Sequence, residues 1–211
     1  MSARGWIAVP EARLQHVPHE RHLRQVFAAY RIDCVLDVGA GLGQFRDLLR
    51  NGVGYSGAIL SFESARESFN AMEQRAGLDD AWRVFPTALG SETRFVGSER
   101  RRVCRLDEVF LDATSGLRCR RVFLRFGAPG CDLEVLKGAG QVLQAVSAIQ
   151  AGLSPGARAS QAEPDYLTCM RTLNELGYEV SGMFPVRHDY ALRATEMDCV
   201  MVRHGDKEKG R

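Results

Sequence analysis

Apolar residues along the chain alternate between two spacings. From His19 to Tyr30 they recur at Leu23, Val26, Phe27 and Tyr30, the i, i+3, i+4, i+7 stripe of an amphipathic helix. Residues 33–38 are a nearly continuous apolar run, the signature of a strand buried on both faces. A second such run covers 57–62, a third 82–88, a fourth 122–126 and a fifth 148–153. Helical stretches separate them: 42–50, closed by Asn51-Gly52; 64–75, with Ser64 and Glu67 set as a capping box; 132–143; and 163–176, stopped by Gly177. Short pieces at 93–96 (strand) and 106–110 (helix) fill an irregular region, and Gly127 to Gly130 reads as a loop. The last two runs, 178–184 and 198–202, have no helix between them, so they form an antiparallel pair. Strands alternating with helices imply a mostly parallel sheet covered on both faces, here of seven strands with the last reversed.

The expected domain is 18–204, with an N-terminal arm at 1–17 broken by Pro10 and Pro18, and a charged tail at 205–211. At 211 residues one α/β domain buries an ordinary core, and the net charge of +2 argues against a global attraction to nucleic acid or membrane. Two local basic clusters, Arg100-Arg101-Arg102 with Arg105 and Arg118-Cys119-Arg120-Arg121, read as solvated surface or as a rim for an anionic substrate. The six cysteines form no C-x-x-C pair, and no segment approaches the length of a membrane span, so the sequence reads as a cytoplasmic chain with free thiols. His16, His19 and His22 are expected to be solvated rather than metal-binding, with Pro18 opposing a helix that would align all three.

The densest chemistry lies in Val35-Leu36-Asp37-Val38-Gly39-Ala40-Gly41-Leu42-Gly43. A strand, an acid and alternate glycines lead into a helix, a turn in which backbone approaches a ligand closely. The order Asp-x-Gly-x-Gly-x-Gly differs from the dinucleotide fingerprint and resembles the loop of S-adenosylmethionine (SAM) methyltransferases. Glu63, 20 residues after Gly43 and at a strand end, is the expected acceptor for both ribose hydroxyls. Asp37, Gly39, Gly41 and Gly43 would hold the methionine end, and Phe62 and Ala88 are candidates for the adenine pocket.

A longer succession carries a narrower resemblance: Val35–Ala40, Gly43-Gln44-Phe45, Ser61-Phe62-Glu63, Ala88-Leu89-Gly90, Arg105-Leu106-Asp107-Glu108, Leu133-Glu134-Val135-Leu136-Lys137-Gly138-Ala139 and Gly177-Tyr178-Glu179. Together these resemble the FkbM-type methyltransferases over about residues 33–203. The resemblance implies a Rossmann-like class I SAM methyltransferase fold and transfer of a methyl group to a hydroxyl of a sugar, glycan or natural product. The departures lie where that family keeps carboxylates. Its lysine is Arg125, its aspartate Gly127, its glutamine Pro129, its glutamate Asp132, and a further glutamate is Gly152. Asp132, Arg125 and His188 are therefore the candidate catalytic residues, and no metal is expected because Gly127 and Gly152 replace its would-be ligands. Two other readings stay open. One is a degenerate member acting as a partner or scaffold; the other, ranked last, is a nucleic-acid methyltransferase. The sequence leaves the oligomeric state open, a homodimer included.

Overall fold

The computed structural model describes residues 10–11, 14–97, 101–129, 133–155 and 165–205. Helix α1 (Val17–Ala29) leads into strand β1 (Cys34–Val38), then α2 (Gln44–Asp47), which continues as a π-helical turn through Val53. Strand β2 (Ala58–Phe62), α3 (Arg66–Ala76) and β3 (Trp82–Phe85) follow. Three short strands, β4 (Ala88–Leu89), β5 (Arg94–Val96) and β6 (Arg101–Cys104), precede α4 (Leu106–Ala113). The remainder is β7 (Val122–Pro129), α5 (Leu133–Gly138) with a 3₁₀ turn over Gly140–Ala145, β8 (Val146–Leu153), α6 (Tyr166–Glu175), β9 (Tyr178–His188) and β10 (Ala194–Arg203).

The main sheet has seven strands in the order β3-β2-β1-β7-β8-β10-β9; β3 to β8 run parallel, and β10 is antiparallel to both neighbours. That is the expected seven-stranded sheet, with the reversed strand second from the edge. One face buries Leu36, Leu60, Leu124, Ile149 and Met201 beneath α4, α5 and α6; the other buries Val35, Ile59, Phe123, Ala148 and Val200 against Leu23, Val26 and Phe27 of α1.

Several boundaries differ from the sequence reading, each for a local reason. The run 82–88 is two strands in two sheets, because Pro86 lacks the N–H a ladder needs. Strand β6 hides in an arginine-rich run: it belongs to a small separate sheet, and Arg101 and Arg102 are exposed. Pro18 does not delay α1; it sits in the first turn, where no N–H partner is lost. Ala65 rather than Ser64 is the N-cap of α3, and Glu63 Oε1 accepts the Ala65 N–H at 2.7 Å. The helix after the glycine turn ends at Gly54, left-handed at φ 77°, instead of at Asn51-Gly52. Strand β7 runs on through Gly127, and β9 through His188, so neither residue is in a loop. All five cysteines among the described residues are free thiols. Among the described residues no helix is long and apolar enough to cross a membrane.

Candidate functional site

The strands β1, β2, β7 and β8 all end at one edge of the sheet, and the glycine turn lies there. Gly39, Gly41 and Gly43 adopt φ of 69°, 58° and 82°, left-handed values that a β-carbon disfavours. Each N–H of the turn has an internal acceptor. Gly39 and Ala40 donate to the Phe62 carbonyl (2.9 and 3.2 Å), and Gly41 donates to Glu63 Oε2 (2.8 Å). Leu42 donates to Gln44 Oε1 (3.1 Å) and Gly43 to the Ala40 carbonyl (3.0 Å). A carboxylate seated on the Gly41–Gly43 amides, the sequence-based expectation, would have to displace Glu63 or Gln44 from them. Gly43 also answers to packing, since a β-carbon there would press on the Trp82 ring at 2.9 Å.

Glu63 bridges the glycine turn and the entry to α3. Beside it opens a cavity of about 620 Å³ lined by Ser64, Ala65, Arg66, Glu67, Ser68 and Arg101. That is within the ordinary range for a small-molecule site. Phe62 does not face this space. It is 1% exposed and stacks on Phe85 (centroids 5.1 Å apart), so its ring belongs to the core. Ala88 is half-buried in β4, paired with Val103 in the small sheet.

Asp37 is fully buried and bonded through Oδ1 to Arg125 Nη1 at 2.9 Å. Its Oδ2 is buried with no hydrogen-bond partner in the structure. Burial pushes the Asp37 carboxyl upward, and Arg125 opposes it. Arg125 thus pairs with Asp37; the expected pairing with Asp132 lies outside the described residues. Its guanidinium also stacks over Phe45, 5.0 Å from the ring centroid.

The absence of an acid at 127 has a steric cause. A β-carbon on Gly127 would fall well inside contact distance of the Gly39 carbonyl oxygen and of Arg125 Nη1. The Gly39 backbone and the forked Arg125 guanidinium together occupy the volume that a side chain at 127 would need. Gly127→Ala should therefore lose about 1–3 kcal/mol of stability, as overpacked sites do. Urea denaturation measures this, and a wild-type midpoint would mean the Gly39 approach relaxes freely.

The second missing acid has a neighbour in its place. Strand alternation puts position 152 on the face covered by α1, and its partner across the ladder is Asp198. Asp198 Oδ2 lies 3.7 Å from His19 Nδ1, and His19 Nε2 lies 3.1 Å from Gln150 Oε1. His19 is 6% exposed and stacked on Phe184 at 4.7 Å, which corrects the expectation of a solvated histidine. Burial lowers its pKa below 6.5, opposed by Asp198 and Gln150. The register sets Ser61, Asp37, Arg125 and Gln150 side by side across β2, β1, β7 and β8, so a row of polar groups runs under α1 near the glycine-turn edge. His188, by contrast, is exposed at the end of β9; Asp189 does not orient it but takes the N–H groups of Ala191 and Arg193 in the hairpin turn. Among the described residues no group of three or more His, Cys, Asp or Glu could hold a metal ion.

Three other stretches of the resemblance, 88–90, 105–108 and 133–139, are tied to one another rather than to Glu63 or the glycine turn. Arg105 donates to Asp107 (2.9 Å) and to the Ser91 carbonyl (3.0 Å), Ser91 bonds Glu134, and Thr93 bonds Glu108. A β-carbon on Gly138 would collide with the Gly90 carbonyl. These residues act as scaffold.

No protein-family model and no curated protein matches the chain. Solved structures do. One is methyltransferase FkbM from Methylobacillus flagellatus, with TM-score 0.56 and 16% identity, covering 81% of this chain and 43% of that one. The fold is that of a class I SAM methyltransferase. Magnesium protoporphyrin IX methyltransferase from Synechocystis, solved with bound SAM, matches with TM-score 0.50 and 13% identity over 94% of this chain and 86% of its own. An rRNA methylase from Streptococcus thermophilus matches with TM-score 0.52 and 13% identity over 94% and 99%. At such identities the likeness is one of fold, and this chain spans less than half of the FkbM structure.

Proposed function

We propose that this protein binds SAM at the edge formed by β1, β2 and β7 and transfers its methyl group to a hydroxyl of a sugar, glycan or natural product. The observation that carries the reading is Glu63, an acid at the end of β2 that bridges the glycine turn and the start of α3, whose first residues line a cavity of about 620 Å³. The residues fit the cofactor at two further points. The unpartnered Asp37 Oδ2 suits a cationic donor such as the methionine ammonium, and the three left-handed glycines bring backbone close. SAM supplies an activated methyl sulfonium.

The chain's own task is to hold the acceptor in line and to take its proton. With no side chain at 127 or 152, Asp198 offers a carboxylate across the ladder from Gly152. Its side chain is 26% exposed, with His19 behind it. Asp198 is the proposed base, and His19, 3.7 Å away, acts on it electrostatically. Glu63→Ala should weaken SAM binding by about 1–3 kcal/mol, the loss of a charged hydrogen-bond acceptor. Unchanged affinity in calorimetry would remove Glu63 from the site.

A fold-keeping protein without transferase activity remains the second reading. It is favoured by the glycine-turn amides, all of which have internal partners. Full SAM affinity without transfer to any hydroxyl acceptor would select it.

A further inference from the structure

The edge of the sheet opposite the glycine turn, where β1, β7 and β8 begin, carries a second cavity. It measures about 680 Å³ and is lined by Arg31, Arg118, Arg120 and Arg121, with Asp33 and the buried Ser147. The length of β1, five residues or roughly 16 Å, separates it from the turn. The Arg118–Arg121 cluster is therefore not a rim of the cofactor site.

Asp33 does not neutralise this cavity so much as build it. Its Oδ1 accepts the backbone N–H groups of Arg120 (2.9 Å) and Arg121 (2.8 Å), and its own N–H donates to the Arg121 carbonyl at 3.0 Å. Those bonds clamp the arginine-bearing segment to the start of β1. The other carboxylate oxygen is 3.5 Å from Arg118 Nε. The guanidinium groups of Arg120 and Arg121 have no ion pair among the described residues. Four arginines and one aspartate line the cavity, an excess of positive charge in a small volume.

Guanidinium forks match phosphate oxygens two at a time. A nucleic-acid backbone wants an extended basic stripe, whereas these guanidinium groups line one concave cavity. We propose that this cavity binds a small ligand bearing two or more adjacent phosphates, such as a di- or triphosphate group.

The test is calorimetric titration of the full chain with inorganic tripolyphosphate, pyrophosphate and orthophosphate at physiological ionic strength. Tripolyphosphate and pyrophosphate should bind at least about tenfold tighter than orthophosphate. The double variant Arg120→Ala, Arg121→Ala should lose that binding, whereas Arg187→Ala, an exposed arginine on β9, should keep it. Should the alanine pair fail to fold, Arg120→Lys with Arg121→Lys keeps the charge and should weaken binding by removing the forks. No heat with tripolyphosphate at millimolar concentration, equal losses in Arg187→Ala, or tighter binding of a single-stranded oligonucleotide than of tripolyphosphate would each overturn the proposal.

Discussion

Arg125→Met should cost about 3–5 kcal/mol of stability at neutral pH, because it leaves the fully buried Asp37 without its cation. Methionine keeps much of the stem that lies over Phe45, so the loss reports the charge rather than the packing. The pH dependence follows from the direction of the Asp37 shift. Burial already raises this carboxyl above its ordinary 3.8, and removing Arg125 raises it further. The native variant then holds a proton that the unfolded chain releases, so its stability falls as pH rises above about 4. The deficit against wild type should close below that pH, where Asp37 is protonated in both states. Urea denaturation across pH measures it; a deficit independent of pH would assign the effect to packing.

Asp198→Asn should lower methyl transfer by about 10²–10⁴-fold while leaving SAM affinity unchanged, the usual effect of removing a base that acts only on the acceptor. Since burial holds His19 below 6.5, the wild-type rate should rise with pH and level off by neutrality. His19→Gln should flatten that profile, a change that a purely structural histidine would not produce. Activity within a few-fold of wild type in Asp198→Asn would return the search for the base to Asp132. The assay uses labelled SAM with a panel of sugar, glycan and polyketide hydroxyls.

The parallel core was readable because strands buried on both faces are apolar over most of their length, as β1, β2, β7 and β8 are. The reversal at β10 was readable because no helix separates it from β9. The site was readable only where local geometry makes a demand: left-handed glycines at 39, 41 and 43, and an acid at a strand end. Its polar row was not, because Ser61, Asp37, Arg125 and Gln150 meet through sheet register across strands distant in sequence. His19 did carry a signal. It lies four residues before Leu23 and seven before Val26, on the buried stripe of α1. Pro18 obscured it, being read as a breaker where it is a helix starter. Asp198 alternates with the inward Val200 and Val202, which places it on the α1 face, but only the ladder shows it opposite Gly152. Gly127 illustrates the limit most clearly. In sequence it is a lost aspartate; in the structure the Gly39 carbonyl and the Arg125 guanidinium fill the space.

The central claim is that the edge holding Glu63 and the glycine turn is a cofactor seat. Calorimetric titration of the wild-type chain with S-adenosylhomocysteine, the demethylated product, tests it without any acceptor. The account predicts one site per chain with micromolar-class affinity. No binding at millimolar concentration would contradict it, and with it both the transferase and any reading that keeps the cofactor.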